Sequence, residues 1–127
     1  MTREEFIQIL INENINHMEI GGKIIVTSYN VDLGVKSLPP GVEFTNPGYV
    51  YLDSLESIPP DTKFKNGRSL SLYSLKSIPK EIVFENGTVI WLDSLGINSN
   101  QWEGNLEGIN TRRIINKMIE LGLFDRR

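Results

Sequence analysis

The stretch that decides the fold is Val50-Tyr51-Leu52-Asp53-Ser54-Leu55-Glu56-Ser57-Ile58-Pro59, which returns as Leu70-Ser71-Leu72-Tyr73-Ser74-Leu75-Lys76-Ser77-Ile78-Pro79. A third copy begins with Ile90-Trp91-Leu92-Asp93-Ser94-Leu95. The same step relates Phe44, Phe64 and Phe84, and it also relates Asn46, Asn66 and Asn86. A unit this short cannot bury its own apolar side chains, so it has to stack on its neighbours. The sequence therefore predicts about four stacked coils, each of about 20 residues.

Alternation within a unit predicts a short strand with two different sides. Leu70 and Leu72 face inward, whereas Ser69, Ser71 and Tyr73 face outward. Stacking places equivalent residues about 4.8 Å apart, so the three phenylalanines are expected to form an internal ladder. The Asn-Gly pairs at 66–67 and 86–87 predict turns, because both residue types tolerate positive φ.

The unit resembles a leucine-rich repeat of the short bacterial and phage style, through the pattern L-x-L-x-x-L-x-x-I-P at Leu70–Pro79 and its counterpart at Leu52–Pro59. The resemblance covers about half of the chain. Leu55, Leu75 and Leu95 stand where that family usually has a buried asparagine. The resemblance implies a parallel sheet on one side of the coils, irregular or 3₁₀ structure on the other, and a preference for protein partners.

Both flanks of the repeat predict caps, because a stack of coils leaves apolar side chains and strand edges open at its ends. Thr2 and Glu5 form a capping-box pattern, and apolar residues then recur at helical spacing, which predicts a helix over about Arg3–His17. Residues 23–28 alternate as a first strand, and residues 29–34 are interpreted as an insertion. A second helix is predicted to open at Thr111.

The fold class predicted from these features is α+β: a short parallel β-solenoid with an N-terminal and a C-terminal capping helix. The chain is expected to be one domain. Residues 1–22 would form the first cap, residues 23–96 the coils, and residues 97–127 a capping loop with the second helix.

The outward side of the strands is the leading candidate binding surface. It is expected to align the aromatic and acidic residues Tyr49, Tyr51, Asp53, Tyr73, Trp91 and Asp93. Tyrosine and tryptophan often anchor protein interfaces, because they bury a large rigid area and keep a polar tip. The alternative is that these are ordinary strand residues on an exposed sheet, or that the protein's own loops cover them.

Asp53 and Asp93 occupy equivalent positions two coils apart, so regular stacking would separate them by about 10 Å. That distance is too long for one metal ion but lies at the edge of the range for an inverting glycosidase, and nearby rings could stack on sugars. Solvated surface carboxylates are the favoured interpretation. No metal site or cofactor is predicted.

Composition excludes several classes of chemistry. The 127 residues contain no cysteine and a single histidine, His17, so thiol nucleophiles and thiolate zinc sites are excluded. The net charge of -3 does not favour nucleic acid as a partner, and the first residues predict neither a signal peptide nor a membrane span. Residues 111–127 hold five basic against two acidic residues, and Arg112, Arg113 and Lys117 form a candidate basic patch. A solvated helix face is the favoured interpretation of that patch.

The sequence as a whole favours a non-catalytic protein-binding module. Abundant Ile and Asn, with no alanine at all, suit an accessory protein from an AT-rich genome, with a bacteriophage as one source. An inhibitor of a host protein, acting in the cytoplasm, is the concrete form of this hypothesis. Two alternatives stay open: a carbohydrate-binding or glycoside-hydrolysing protein, and a structural unit in which an uncapped edge pairs with a second copy.

Overall fold

The structure is a computed structural model that describes residues 1–76, 78–79, 82, 84–87, 90–92 and 97–98. Its elements are α1 (Arg3–Asn12), β1 (His17–Ile20), β2 (Lys23–Val26), β3 (Val31–Asp32), β4 (Val42–Phe44), β5 (Val50–Tyr51), β6 (Lys63–Phe64), β7 (Leu70–Ser71), β8 (Ile90–Leu92) and β9 (Ile97–Asn98).

The nine strands of the described residues are divided between two sheets. Sheet A has the order β1-β2-β4-β6, and sheet B has the order β3-β5-β7-β8-β9. The pairs from β2 to β6 and from β3 to β8 are parallel. Glu43 pairs with Lys63, and Val50 pairs with Leu70, so each of these pairs advances by one unit of the repeat, as predicted. The buried side chains of both sheets belong to one hydrophobic core.

The predicted fold class, a parallel β-solenoid with a helix at each end, is wrong. The described residues form a small α+β fold with one helix and two mixed sheets, and they do not form a closed solenoid. Sheet A is mixed because β1 pairs antiparallel with β2, and sheet B is mixed because β8 pairs antiparallel with β9. The turn between β1 and β2 is Gly21-Gly22, and both glycines have positive φ, which suits a two-residue hairpin. The helix predicted from Thr111 lies outside the described residues.

The phenylalanine ladder is confirmed. The ring centroids of Phe44 and Phe64 lie 5.5 Å apart in parallel planes, and those of Phe64 and Phe84 lie 5.8 Å apart. All three rings are buried, as are Leu52 and Leu72. Stacked rings at this spacing fill the interior between the sheets, and each buried phenylalanine contributes about 1.5–3 kcal/mol by leaving water.

The Asn-Gly turns work by close approach, and the prediction of positive φ there is wrong. Among the described residues, only Asn14, Gly21, Gly22 and Gly41 have positive φ. Instead, a Cβ placed on Gly67 would overlap the carbonyl oxygen of Pro47, and one on Gly87 would overlap that of Gly67. Glycine is therefore required because each turn packs its backbone directly on the turn before it.

The asparagine before each of these glycines ties neighbouring turns together. Asn66 is buried, and its side-chain nitrogen donates to the carbonyl oxygen of Gly48, 3.1 Å away in the previous turn, and to that of Ser69, 2.9 Å away in its own turn. Asn86 donates in the same way to the carbonyl of Arg68. A buried asparagine row thus exists in this protein, although it does not occupy the position held by Leu55 and Leu75.

Helix α1 is shorter than predicted. It begins with the expected capping box, in which Glu5 donates its backbone N–H to the hydroxyl of Thr2 and accepts from the backbone of Thr2. It ends because Asn14 adopts φ 58°, and the amide of Ile15 then bonds back to the carbonyl of Leu10 at 2.8 Å. His17 therefore belongs to β1, whereas the helical spacing predicts it as the last residue of the helix.

The predicted insertion at residues 29–34 is wrong as well. Val31 and Asp32 form β3, in parallel register with Val50 and Tyr51. The register step here is one residue shorter than between β5 and β7, which hides this strand from a search for the exact repeat. Sheet B therefore begins one strand earlier than the sequence predicts, at the edge beside the candidate binding surface.

Candidate functional site

The outer side of sheet B brings together most of the described residues predicted to bind a partner. We call this surface, made of Asp32, Tyr49, Tyr51, Asp53 and Tyr73, the tyrosine face. Its central row is set by backbone register, in which Asp32 pairs with Tyr51, Tyr51 with Ser71, and Ser71 with Trp91. The inward neighbours of this row, Val31, Val50, Leu70 and Ile90, are fully buried. Alternation along β3, β5 and β7 thus turns Asp32, Tyr51 and Ser71 outward.

Tyr49 and Tyr51 form one stacked unit on this surface. Their ring centroids lie 4.1 Å apart with planes inclined by 25°, and both side chains are half-buried. The backbone of Tyr49 is held on two sides, because its N–H donates to Asn30 Oδ1 and its carbonyl accepts from Asn46 Nδ2, each at 3.1 Å. The stacked pair is therefore fixed by the neighbouring strands and turns before any partner arrives.

Asp53 is tied to the next strand of the sheet. Its carboxylate accepts a hydrogen bond from the hydroxyl of Ser71, and its backbone carbonyl accepts from the hydroxyl of Ser74. The sequence alternation predicts Ser71 on the outer side, and its backbone pairing places it in the central row. It is nevertheless only 4% exposed. It serves as a buried anchor for Asp53, and Asp53 itself remains exposed.

Tyr73 projects further into solvent than the stacked pair. It is 40% exposed and belongs to the few large apolar or aromatic side chains in the described part of the chain that are so open. Asp32 is exposed at the other side of Tyr51. The face therefore offers three tyrosines flanked by two carboxylates.

The charge on this face has one sign. The outward positions of sheet B at residues 30, 32, 49, 51, 53, 69, 71 and 73 include two aspartates and neither lysine nor arginine. None of the ion pairs found among the described residues involves Asp32 or Asp53. The surface thus combines aromatic rings with acceptor groups whose charge no cation in the described part of the chain neutralises.

The remaining predicted site residues are placed only in part. Trp91 is located in the central row by its backbone pairing with Ser71. Asp93, the second carboxylate of the glycosidase hypothesis, lies outside the described residues. The basic patch of Arg112, Arg113 and Lys117 also lies outside them.

Sequence reasoning misses three residues that build the face. Asp32 and Asn30 lie in the segment interpreted as an insertion, and Asn46 is interpreted only as part of a turn. The recurrence of Asn46, Asn66 and Asn86 is the available signal, because a buried amide that bonds to backbone in two turns has to recur with the turns. Asn30 carries no comparable signal.

Two grooves lie away from the tyrosine face. One, of about 460 Å³, is lined by residues from the helix start and from the turns before sheet A, namely Arg3, Gly21, Gly22, Lys23, Pro40, Gly41, Asp61 and Lys63. Two of its cations already have internal partners, since Arg3 bonds to the carbonyl of Gly22 at 2.7 Å and Lys23 to Glu43 at 2.9 Å. The other groove, of about 320 Å³, lies between the end of α1 and His17.

Within the described ranges, no group of three or more His, Asp or Glu side chains is placed to hold a metal ion. The helix in that part of the chain is not long and apolar enough to cross a membrane. No protein-family model matches the chain, and no curated protein or solved structure matches it either.

Proposed function

We propose that this protein is a non-catalytic binding module that docks another protein on the tyrosine face. The observation that carries the proposal is the stacked Tyr49–Tyr51 pair, held by Asn30 and Asn46 and flanked by exposed carboxylates. A surface that is ordered in advance loses little conformational entropy when a partner binds. Tyrosines on such a surface are typical of the residues that dominate binding energy.

The chemistry of the face defines the kind of partner. Rings and unneutralised carboxylates favour a protein surface that presents lysine, arginine or amide N–H groups beside an apolar patch. Asp53 is held by Ser71, so its carboxylate can accept from a partner without first being ordered. As an accessory protein of phage or bacterial origin, the chain would inhibit or modulate a host protein in the cytoplasm in this way.

The test is a pull-down from bacterial lysate with the immobilised chain, followed by affinity measurements on each retained protein. The altered chain carries Tyr51→Ala and Tyr73→Ala, and the matched control carries Lys65→Ala and Glu85→Ala, two exposed residues beside the strands of sheet A. Loss of both tyrosines is expected to weaken specific binding by about 30-fold or more, because alanine at a central anchor removes at least about 2 kcal/mol. The control is expected to bind like the native chain.

Equal retention of every protein by the native chain and the tyrosine variant would contradict the proposal, provided that both chains show the same melting temperature. A partner lost only from the Lys65 and Glu85 variant would move the site to sheet A. A glycan array with the native chain addresses the carbohydrate alternative, and a signal that Asp53→Asn abolishes would replace the present proposal.

A further inference from the structure

Strand β1 is the outer strand of sheet A and leaves one of its edges unpaired within the described part of the chain. The sheet order is β1-β2-β4-β6, so β2 covers only one side of β1. Natural edge strands are usually protected by lysine, proline, a bulge or a covering element. The sequence His17-Met18-Glu19-Ile20 contains neither lysine nor proline, and its register with β2 is unbroken.

The hydrogen bonds around β1 show which of its backbone groups point away from the sheet. The amide of Thr27 donates to the carbonyl of Asn16 at 2.9 Å, so positions 16, 18 and 20 carry the bonds to the β2 side. Residues Ile24 and Val26 of β2 bond to the β4 side instead, through Gly41 and Thr45. By the same alternation, the backbone N–H and C=O of His17 and Glu19 point outward from the free edge.

The side chains at this edge are open as well. Met18 is 48% exposed and Ile20 is 55% exposed, and both project from one side of the strand. Ile11, which is 54% exposed, lines the groove of about 320 Å³ together with His17 on the other side. The edge is thus flanked by exposed apolar side chains, with Met18 and Ile20 on one side and Ile11 on the other.

We propose that β1 is a dimerisation edge, at which two copies of this chain pair β1 against β1 in antiparallel register with Met18 on the two-fold axis. The outward groups belong to residues 17 and 19, and an antiparallel pair bonds outward groups to each other, so His17 of one copy lies opposite Glu19 of the second. A shift by one residue would set outward groups against inward ones. A shift by two would leave one of the outward residues without its counterpart in the second β1.

The placement of charge supports a second copy as the occupant, because each Glu19, which is paired with Arg3 of its own chain at 3.2 Å, lies opposite a histidine and not opposite the second Glu19. In this register the histidine and the glutamate stand opposite each other twice, once on each side of the axis, and opposite polar partners across strands stabilise the pairing. Met18 meets its own equivalent, which buries part of the exposed apolar surface. The dimer joins two four-stranded sheets into one continuous sheet and uses the opposite sheet from the tyrosine face.

Sedimentation velocity of the full chain from about 1 µM to about 1 mM tests the proposal directly. The native chain is expected to form a species of twice the 14.4 kDa chain mass as concentration rises. Glu19→Pro removes an outward N–H without removing a bond to β2, so it is expected to abolish the dimer. Its matched control is Glu19→Ala, which loses the same carboxylate and the same contact with Arg3 but keeps the N–H, so it is expected to weaken the dimer without abolishing it.

A charge exchange tests the register. His17→Glu places two carboxylates opposite each other and is expected to weaken dimerisation at least tenfold, whereas adding Glu19→His to the same chain restores it. Thermal melts at low concentration show whether each variant keeps its fold. A native chain that stays monomeric over the whole range overturns the proposal, and so does a dimer that is equally strong in all variants that remain folded.

Discussion

The two sheets of this protein share one core but differ sharply on their outer sides. On sheet A, charged residues of successive repeat units neutralise each other, as in Lys23 with Glu43 at 2.9 Å and Lys65 with Glu85 at 4.0 Å. On sheet B, the outer side carries a stacked tyrosine pair and two exposed aspartates with no ion pair among the described residues.

The difference shows which surface has interactions left to make. Residues whose charges are matched within the protein contribute to the chain's own stability and offer little net charge to a partner. Carboxylates that no cation of the described residues neutralises, together with rings that stay partly open to solvent, retain their capacity for recognition. We therefore assign stability to the outer side of sheet A and binding to that of sheet B, and substitutions on both sheets test this assignment.

The largest effect is expected for Gly67→Ala, which disturbs the packing of one turn on the next between the two sheets. The new methyl group would lie well under 3.0 Å from the carbonyl oxygen of Pro47, closer than a Cβ tolerates. The turn that contains Gly67 then has to move away from the turn that contains Pro47, and the strands on both sides of it move as well. We therefore expect a loss of more than about 3 kcal/mol in the free energy of unfolding. Urea denaturation followed by circular dichroism measures this loss.

Gly34→Ala is the matched control, because a Cβ at position 34 meets nothing within 4 Å. It should change stability by no more than about 0.5 kcal/mol. If Gly67→Ala changed the free energy of unfolding as little as Gly34→Ala, the turns would not pack backbone on backbone, and they would not hold the two sheets together.

The interior of this fold was largely predictable from the sequence, because packing repeats with the chain. Leucines and phenylalanines that recur at the same positions of each unit located the buried ladder, and alternation gave the correct side for Leu70 and Leu72. Four of the five tyrosine-face residues followed from that alternation as outward residues, namely Tyr49, Tyr51, Asp53 and Tyr73. These features depend on the local period alone.

The ends of the fold were not predictable in the same way. Whether apolar residues after Asn14 continue a helix or begin β1 depends on one left-handed residue, and the helical spacing of Ile15 and Met18 concealed that stop. Strand β3 escaped because its register step is shorter by one residue. Mixed sheets arise from the hairpin at each end, and such terminal pairings have no counterpart in the repeat itself.

A smaller effect is expected for Lys23→Ala, which tests directly whether the outer side of sheet A contributes more to stability than that of sheet B. The Glu43 side chain is only 12% exposed, so removing its cation leaves a largely desolvated carboxylate without its partner. We expect a loss of about 1–2 kcal/mol, less than for a fully buried pair because Lys23 itself is half exposed. The comparison variant on sheet B is Tyr73→Ala, for which a smaller loss than for Lys23→Ala is expected, because its side chain is 40% exposed and its removal leaves no buried charge unpaired.

Lys65→Ala serves as the control within sheet A, because its pair with Glu85 is longer and half exposed on both sides. Such pairs contribute about 0–1 kcal/mol. Chemical denaturation of all three variants ranks them. A greater loss for Tyr73→Ala than for Lys23→Ala would reverse the assignment of stability to sheet A and binding to sheet B.

The smallest effect is expected from acid, and it concerns Glu5, which belongs to α1 and not to the outer side of either sheet. Hydrogen bonds from the backbone and the hydroxyl of Thr2 lower the pKa of Glu5 at the start of α1. The folded state therefore favours the ionised carboxyl. The stability this adds is present above the ordinary pKa of 4.5 and is lost as the pH falls through the lower pKa of the folded state.

Glu5→Gln tests this pH dependence, because its side chain cannot titrate. The native chain should melt slightly above this variant at pH 7, and thermal melts should show the gap closing by roughly pH 3. A gap that persists unchanged at low pH would mean that Glu5 acts without its charge.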